Sequence, residues 1–323
     1  MKNVKKLIAV ALCAVMVLVA FAGCSSKSNT YKVGICQLVQ HEALDAATKG
    51  FKEALVAKLG DKVEFDYQNA AGDSATCATI ANNFVAGGYD LIMANATPAL
   101  QAAVAATTSV PIVATSITDY ATALEISDWK GTTGMNVTGT SDLAPLSEQA
   151  AMIKELFPNV KKVGILYCSA EANSVYQAKV IAEELKKASI PSKAYTCSDS
   201  NDVAAATTSA CADCDVIYIP TDNTMASCTE TVNAVAEAAK VPIIAGEENI
   251  CRGCGVATLS INYYDIGYAA GEMAAQILTE GKDPATMEIQ SAPKVTKEYN
   301  KTLCDALGVK IPEGYTEVPP AAE

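Results

Sequence analysis

The side chains with the clearest chemical use are polar groups placed at the ends of short apolar runs. Gln37 lies at the end of the run from Val33 to Leu38, and Gln40 and His41 follow it. Thr97 and Pro98 follow Leu91 to Ala94, and Thr115, Ser116 and Asp119 follow Ile112 to Ala114. A second series repeats the arrangement. Tyr167, Glu171, Asn173 and Ser174 follow the run that starts at Val163, Thr221, Asp222 and Asn223 follow Val216 to Ile219, and Glu247 follows Ile243 to Ala245. Tyr264 comes after a further run from Ala257. Neutral donors, carboxylate acceptors and phenol rings are equipment for holding a small polar molecule. Most of these residues have a structural reading as well. Thr and Ser at strand ends are frequent helix caps, Asp222 stands directly before a helical pattern from Asn223 to Ala239, and Asp142 and Asp265 also read as caps.

The same inventory excludes other chemistry. His41 is the single histidine in 323 residues, which removes most His-based triads and His-rich metal sites. No nucleophile and base stand at a spacing that suggests a pair, and no phosphate loop is present. A formal charge of −12, with no basic stretch beyond the extreme N-terminus, argues against nucleic acid. Cofactors and metals are not expected. The twelve cysteines include two CxxC pairs, Cys211 with Cys214 and Cys251 with Cys254. Structural disulfides are the first expectation for them, with free thiols and a four-thiolate zinc site as the alternatives.

The elements that would position these groups are α/β. Helical patterns separate the apolar runs, for example Ala43, Leu44, Ala46, Ala47, Phe51 and Leu55. In open α/β sheets, ligands bind beyond the carboxyl ends of the strands, where the helix N-termini also point. Asn136 to Asp142, a short β-branched segment with a glycine, divides the first series from the second and reads as a strand crossing between two lobes. Two lobes are expected at 31–135 and 136–261. The chain is then expected to return to the first lobe at 262–287 and to the second at 288–311, with a loose tail at 312–323.

The N-terminus carries a separate signal. Lys2, Lys5 and Lys6 precede an apolar run from Leu7 to Phe21, too short to favour a stable membrane span and suited to a signal peptide at 1–23. Ala22 and Gly23 then stand before Cys24, an arrangement that resembles the bacterial lipobox and implies lipid attachment at Cys24, followed by a polar tether at 24–30.

Taken together, the segments Gln37 to Asp45, Ala96 to Ala99, Asn136 to Asp142, Glu171 to Ser174, Pro220 to Asn223 and Tyr263 to Asp265 resemble the substrate-binding proteins of ABC transporters, in the branch that binds aromatic amino acids. The similarity spans nearly all of Tyr31 to Leu278. Gln40 stands where that family often has Glu, and Glu42 where it often has Pro. The resemblance implies two doubly wound parallel sheets of the type I periplasmic binding protein fold, joined by a three-strand hinge. It also implies a monomer that works with a permease and an ATPase, without enzymatic activity.

For an amino acid held between such lobes, Thr97, Thr115, Ser116 and the amides near Pro98 would meet the carboxylate. Asp222, then Glu247, then Asp119, would meet the ammonium, and Tyr167 and Tyr264 would supply ring surface. The competing functions are a sensor of the same fold that signals to a membrane receptor, import of a nucleoside or a sugar, and a surface enzyme using Glu171, Asp222 and Glu247.

Overall fold

The computed structural model describes residues 30–292 and 294–319, so the expected signal peptide, the Cys24 lipid site and most of the tether lie outside the described residues. Strands and helices alternate from the start. They run β1 (Tyr31–Gln37), α1 (Glu42–Leu59), β2 (Val63–Asn69), α2 (Ser74–Ala86), β3 (Leu91–Asn95), α3 (Thr97–Ala106), β4 (Ile112–Ile117), α4 (Tyr120–Ala123) and β5 (Val137–Ser141). The second series is α5 (Leu146–Leu156), β6 (Val163–Cys168), α6 (Ala172–Lys187), β7 (Ser192–Cys197), α7 (Val203–Cys211), β8 (Val216–Ile219), α8 (Asn223–Ser227), α9 (Thr229–Ala239), β9 (Ile243–Ala245), α10 (Glu248–Cys254) and β10 (Ala257–Ser260). The chain ends with α11 (Tyr263–Glu280), β11 (Gln290–Ser291), β12 (Thr296–Tyr299), α12 (Lys301–Leu307) and β13 (Thr316–Glu317).

Two sheets result. The first has the order β11-β5-β4-β3-β1-β2 and the second β13-β12-β10-β9-β8-β6-β7. All pairings are parallel except β10 with β12. Parallel strands covered on both faces must be apolar throughout, and β3 (Leu-Ile-Met-Ala-Asn) and β8 (Val-Ile-Tyr-Ile) are buried at every position. Each sheet accordingly has an apolar cluster on either side. Ile92, Leu100 and Phe84 lie on one face of the first sheet, with Val33, Phe51 and Ala270 on the other. Ile217, Val232 and Ile250 lie on one face of the second, with Ile165, Ile181 and Leu303 on the other.

The chain changes lobe three times, between β5 and α5, between β10 and α11 and between β11 and β12, rather than within strands. The boundary expected after residue 135 therefore falls after Ser141, because β5 still pairs with β4 in the first sheet. Likewise β11 pairs with β5, so the last crossing falls after Ser291 and not at 288. The tail expected to be loose is docked as far as Pro319. There β13 pairs with β12, and the Arg252 guanidinium donates to the Pro319 carbonyl at 2.8 Å.

Close approach explains two groups of glycines. A Cβ on Gly267 would stand 2.0 Å from the Ala47 carbonyl and one on Gly50 would stand 2.2 Å from the Tyr264 carbonyl, so α1 and α11 pack backbone to backbone across the first sheet. Gly139, in β5, has φ 149° and the Ala114 carbonyl 1.8 Å from where its Cβ would be. Beside it the Tyr120 hydroxyl sits against the Ala114 and Thr140 carbonyls at 3.0 and 3.2 Å. These contacts fix the strand that leads into the first crossing.

The ten described cysteines are all thiols, which corrects the disulfide expectation for the two CxxC pairs. Cys251 and Cys254 are buried on α10, where their thiols donate along the helix to the Gly255 and Ile250 carbonyls. No group of three or more His, Cys, Asp or Glu side chains is arranged to hold a metal among the described residues. None of the described helices is long and apolar enough to cross a membrane.

Candidate functional site

The carboxyl ends of the strands of both lobes face one another. Their loops make a groove of about 210 Å³ lined by Leu38, Val39 and Pro98 of the first lobe and by Cys168, Glu171 and Asn223 of the second. A larger depression of about 490 Å³ lies against the tail on the second lobe and contains no first-lobe residue. Among the described residues, three polar side-chain contacts join the lobes. His41 Nε2 lies 3.3 Å from Asn223 Oδ1, Gln177 Nε2 donates to Thr118 Oγ1 at 3.4 Å, and Arg252 pairs with Glu42.

On the second lobe Glu171 organises the rim. Its carboxylate accepts from the backbone amides of Asn223 and Thr224 at 3.1 and 2.8 Å, from the Thr224 hydroxyl at 2.8 Å and from the side-chain amides of Asn223 and Asn173 at 2.6 and 3.2 Å. This joins the start of α6 to the start of α8. The Asn223 amide is thereby oriented with its oxygen toward His41.

The three carboxylates nominated as ammonium acceptors all cap helices. Asp222 is 1% exposed and accepts from Met225 N at 2.8 Å and Cys168 N at 2.7 Å. Burial, together with the neighbouring Glu171, holds its carboxyl well above the usual carboxylate range. Glu247 caps α10 through Asn249 N and Ile250 N at 2.7 and 2.6 Å, and burial pushes it up to about 8 against those two bonds. Asp119 caps α4 through Thr122 N.

Asp142, expected to cap a helix, does not do so; Pro145 precedes α5. Asp142 is instead buried at the first crossing, where it accepts from the Thr118 hydroxyl at 3.1 Å and the Tyr263 hydroxyl at 2.9 Å, and burial pushes it up to about 6. Asp265, the other expected cap, lies in the first turn of α11, which is capped by Asn262.

Several nominated residues are occupied elsewhere. Gln37 is buried in a network with Thr48, Asp45 and the Val39 carbonyl, and Gln40 is exposed on a first-lobe surface beside Lys49 and Tyr67. Thr115 is fully buried in the first sheet, where its hydroxyl accepts from Thr140. Tyr167 is half-buried against the core of the second lobe, and Tyr264 donates to Glu53 on the first-lobe surface. Ring surface at the crossing comes from Tyr263, one residue earlier, which helical periodicity turns inward. Thr97 is buried at the first position of α3. Thr221 donates through its backbone amide to Gln177. Ser174 is buried and accepts from Asn173.

Three polar atoms at these rims are buried with no partner among the described residues: His41 Nδ1, Ser116 Oγ and Asn173 Oδ1. Buried polar atoms are ordinarily paired, so these three are the rim atoms left for a bound molecule to satisfy, although none of the three residues lines the groove of about 210 Å³. Ser116 also has φ 58°, and Ala96, directly before α3, has φ 89°; both are strained non-glycine positions at adjoining strand ends. Gln177 was missing from the sequence reading, and Thr118 and Thr224, which that reading places at strand ends, were not nominated for the site; their roles depend on which lobes meet.

The comparisons with known proteins agree with this geometry. The chain is 35% identical to the Tyrosine-binding protein of Clostridioides difficile (strain R20291), with 95% of this chain and 93% of that protein covered. It is similar to the structure of an ABC domain in complex with L-Trp from Streptococcus pneumonia, at 34% identity and a TM-score of 0.85 over 90% of this chain and all of that one. A ligand-free, open substrate binding protein with adhesive properties from Clostridium difficile, 33% identical, gives a TM-score of only 0.67 over 90% of this chain and all of that one. At nearly equal identity, the chain superposes better on the complex than on the open form. The fold is that of type I periplasmic binding proteins. With the family's model matched over residues 32–320, the chain belongs to the ABC transporter substrate binding proteins.

Proposed function

We propose that this protein is the lipid-anchored, extracytoplasmic receptor of an ABC importer, and that it closes on an aromatic amino acid and delivers it to a permease and its ATPase. The observation that carries the ligand assignment is the set of unpaired atoms, His41 Nδ1, Ser116 Oγ and Asn173 Oδ1. With Nε2 donating to Asn223, a neutral His41 leaves Nδ1 as an acceptor. It suits the phenol hydroxyl of tyrosine or the indole N–H of tryptophan. The Ser116 hydroxyl, beside the N-terminus of α3, suits the carboxylate. Asn173 Oδ1, backed by Glu171, suits the ammonium. The relatives named for tyrosine and bound to L-Trp support the same class.

Binding without turnover is favoured because Glu171, Asp222 and Glu247, the carboxylates a surface enzyme would use, are engaged in capping and rim bonds. Export and lipid attachment rest on the lysine-led apolar segment and on Cys24. Thermal-shift screening of the mature chain with the twenty amino acids, sugars and nucleosides tests the assignment. Tyrosine or tryptophan should give the largest rise in Tm, and a larger rise with a sugar or a nucleoside would overturn it.

A further inference from the structure

We propose that Cys168 and Cys197 form a dithiol that oxidises to an intramolecular disulfide and, when oxidised, loosens the second lobe's grip on ligand. The two are register partners, the last residues of the neighbouring parallel strands β6 and β7. Adjacent strands lie about 4.8 Å apart, within the Cα separation of roughly 4.4–6.8 Å that a disulfide spans. Both thiols face the same apolar cluster and interact with each other. Each also donates to a carbonyl next to its partner, Cys168 to Ser198 O at 3.5 Å and Cys197 to Tyr167 O at 3.9 Å. The neighbouring Cys197 thiol, aided by Thr224, holds Cys168 below the ordinary thiol range, which makes it the attacking sulfur.

Position sets this pair apart from the other cysteines. Cys168 lines the groove between the lobes, so it is 2% exposed with the lobes together and gains access when they part. Cys36 and Cys77 also interact, but within the first-lobe core. The Cys168 amide donates to Asp222, which caps α8, whose first two amides hold Glu171. Drawing Cys168 toward Cys197 therefore pulls on the bonds that orient Glu171, Asn173 and Asn223. That consequence, though not the disulfide itself, rests on the binding function proposed above.

The oxidant is a small-molecule disulfide. The Cys168 thiolate attacks one of its sulfurs, breaks that S–S bond and releases one thiolate. Cys197 then attacks Cys168 Sγ in the mixed disulfide, gives up its proton to solvent and releases the second thiolate. Two electrons pass from the protein dithiol to the small disulfide.

The test treats the reduced full chain with oxidised glutathione, with and without excess L-tyrosine or L-tryptophan. Linked peptides are read by mass spectrometry and affinity by calorimetry. A Cys168–Cys197 peptide should form, more slowly with the amino acid present. Affinity should fall about tenfold, the equivalent of one lost hydrogen bond, and return on reduction. Cys197→Ser should bind like the parent when reduced and, lacking the second thiol, should retain glutathione on Cys168 and form no linked peptide. In the parent, glutathione left on Cys168, a Cys36–Cys77 link in place of the expected one, or unchanged affinity after oxidation would overturn the proposal. If neither amino acid binds the reduced chain, the ligand assignment fails, while the linked peptide still decides whether the dithiol exists.

Discussion

His41 and Asn223 hydrogen-bond across the cleft, one from each lobe, while the second ring nitrogen of His41 is buried with no protein partner. Burial lowers the His41 pKa in this arrangement, opposed in part by Asn223, Glu171 and Asp45. When the lobes part the ring regains water, and its pKa returns toward about 6.5. Below that pH the open form holds a proton that the closed form must release, so closure weakens as the pH falls. The affinity for L-tyrosine, measured by calorimetry, should rise from pH 5.5 to 7.5 and approach a tenfold change per pH unit at the acid end. His41→Gln should flatten the profile. A parent profile that is already flat would show that His41 stays buried in both forms.

Asp222 gives a second test, because a cap and an ammonium acceptor fail differently when removed. As a buried cap it satisfies Met225 N and Cys168 N. Losing the cap costs about 1 kcal/mol and stranding a buried amide a further 1–3 kcal/mol, so Asp222→Ala should destabilise the empty protein by about 2–4 kcal/mol in urea melts. An acceptor that only met ligand would leave the empty protein's melt unchanged and lower affinity alone.

The contrast between those two readings shows where the sequence was legible. Continuous apolar runs such as Leu91 to Ala94 and Val216 to Ile219 can form only covered parallel strands here, and they lie where their pattern places them. A residue at a strand end is known to be at the rim, but not whether its polar atoms are already used. Asp222 and Glu247 are used by amides of their own helices, a local outcome that cap chemistry anticipates. Thr115 and Tyr167 were misplaced because one step along a strand turns a side chain from one face to the other. Ser116, the next residue after Thr115, keeps its hydroxyl unpaired. Asp142 and Tyr263 were beyond reach for a different reason. Their bond joins residues 121 positions apart and exists only once two crossings are side by side.

Arg252 supplies the last test, since it ties the lobes from outside the site. Its guanidinium pairs with Glu42 at the start of α1 and with Glu248 at the start of its own helix, and it donates to the Pro319 carbonyl. The Arg252 side chain is 19% exposed and that of Glu42 is 42% exposed, so solvent screens the interlobe pair. Its contribution to closure should be about 0.5–1 kcal/mol, a twofold to fivefold change in affinity. Arg252→Ala would also release the tail, so Glu42→Gln isolates the effect. It leaves Arg252, Glu248 and Pro319 in place and removes only the charge on the opposite lobe. Glu42→Gln should weaken binding of L-tyrosine twofold to fivefold at low salt, and the deficit should shrink in high salt, where the parent has lost the same attraction. The double variant should be no weaker across the cleft than Arg252→Ala alone, because the two changes delete one interaction. Scattering from the ligand-free chain should show the Glu42→Gln form at least as extended as the parent. Equal affinity of parent and Glu42→Gln at low salt would mean that this ion pair forms without favouring closure.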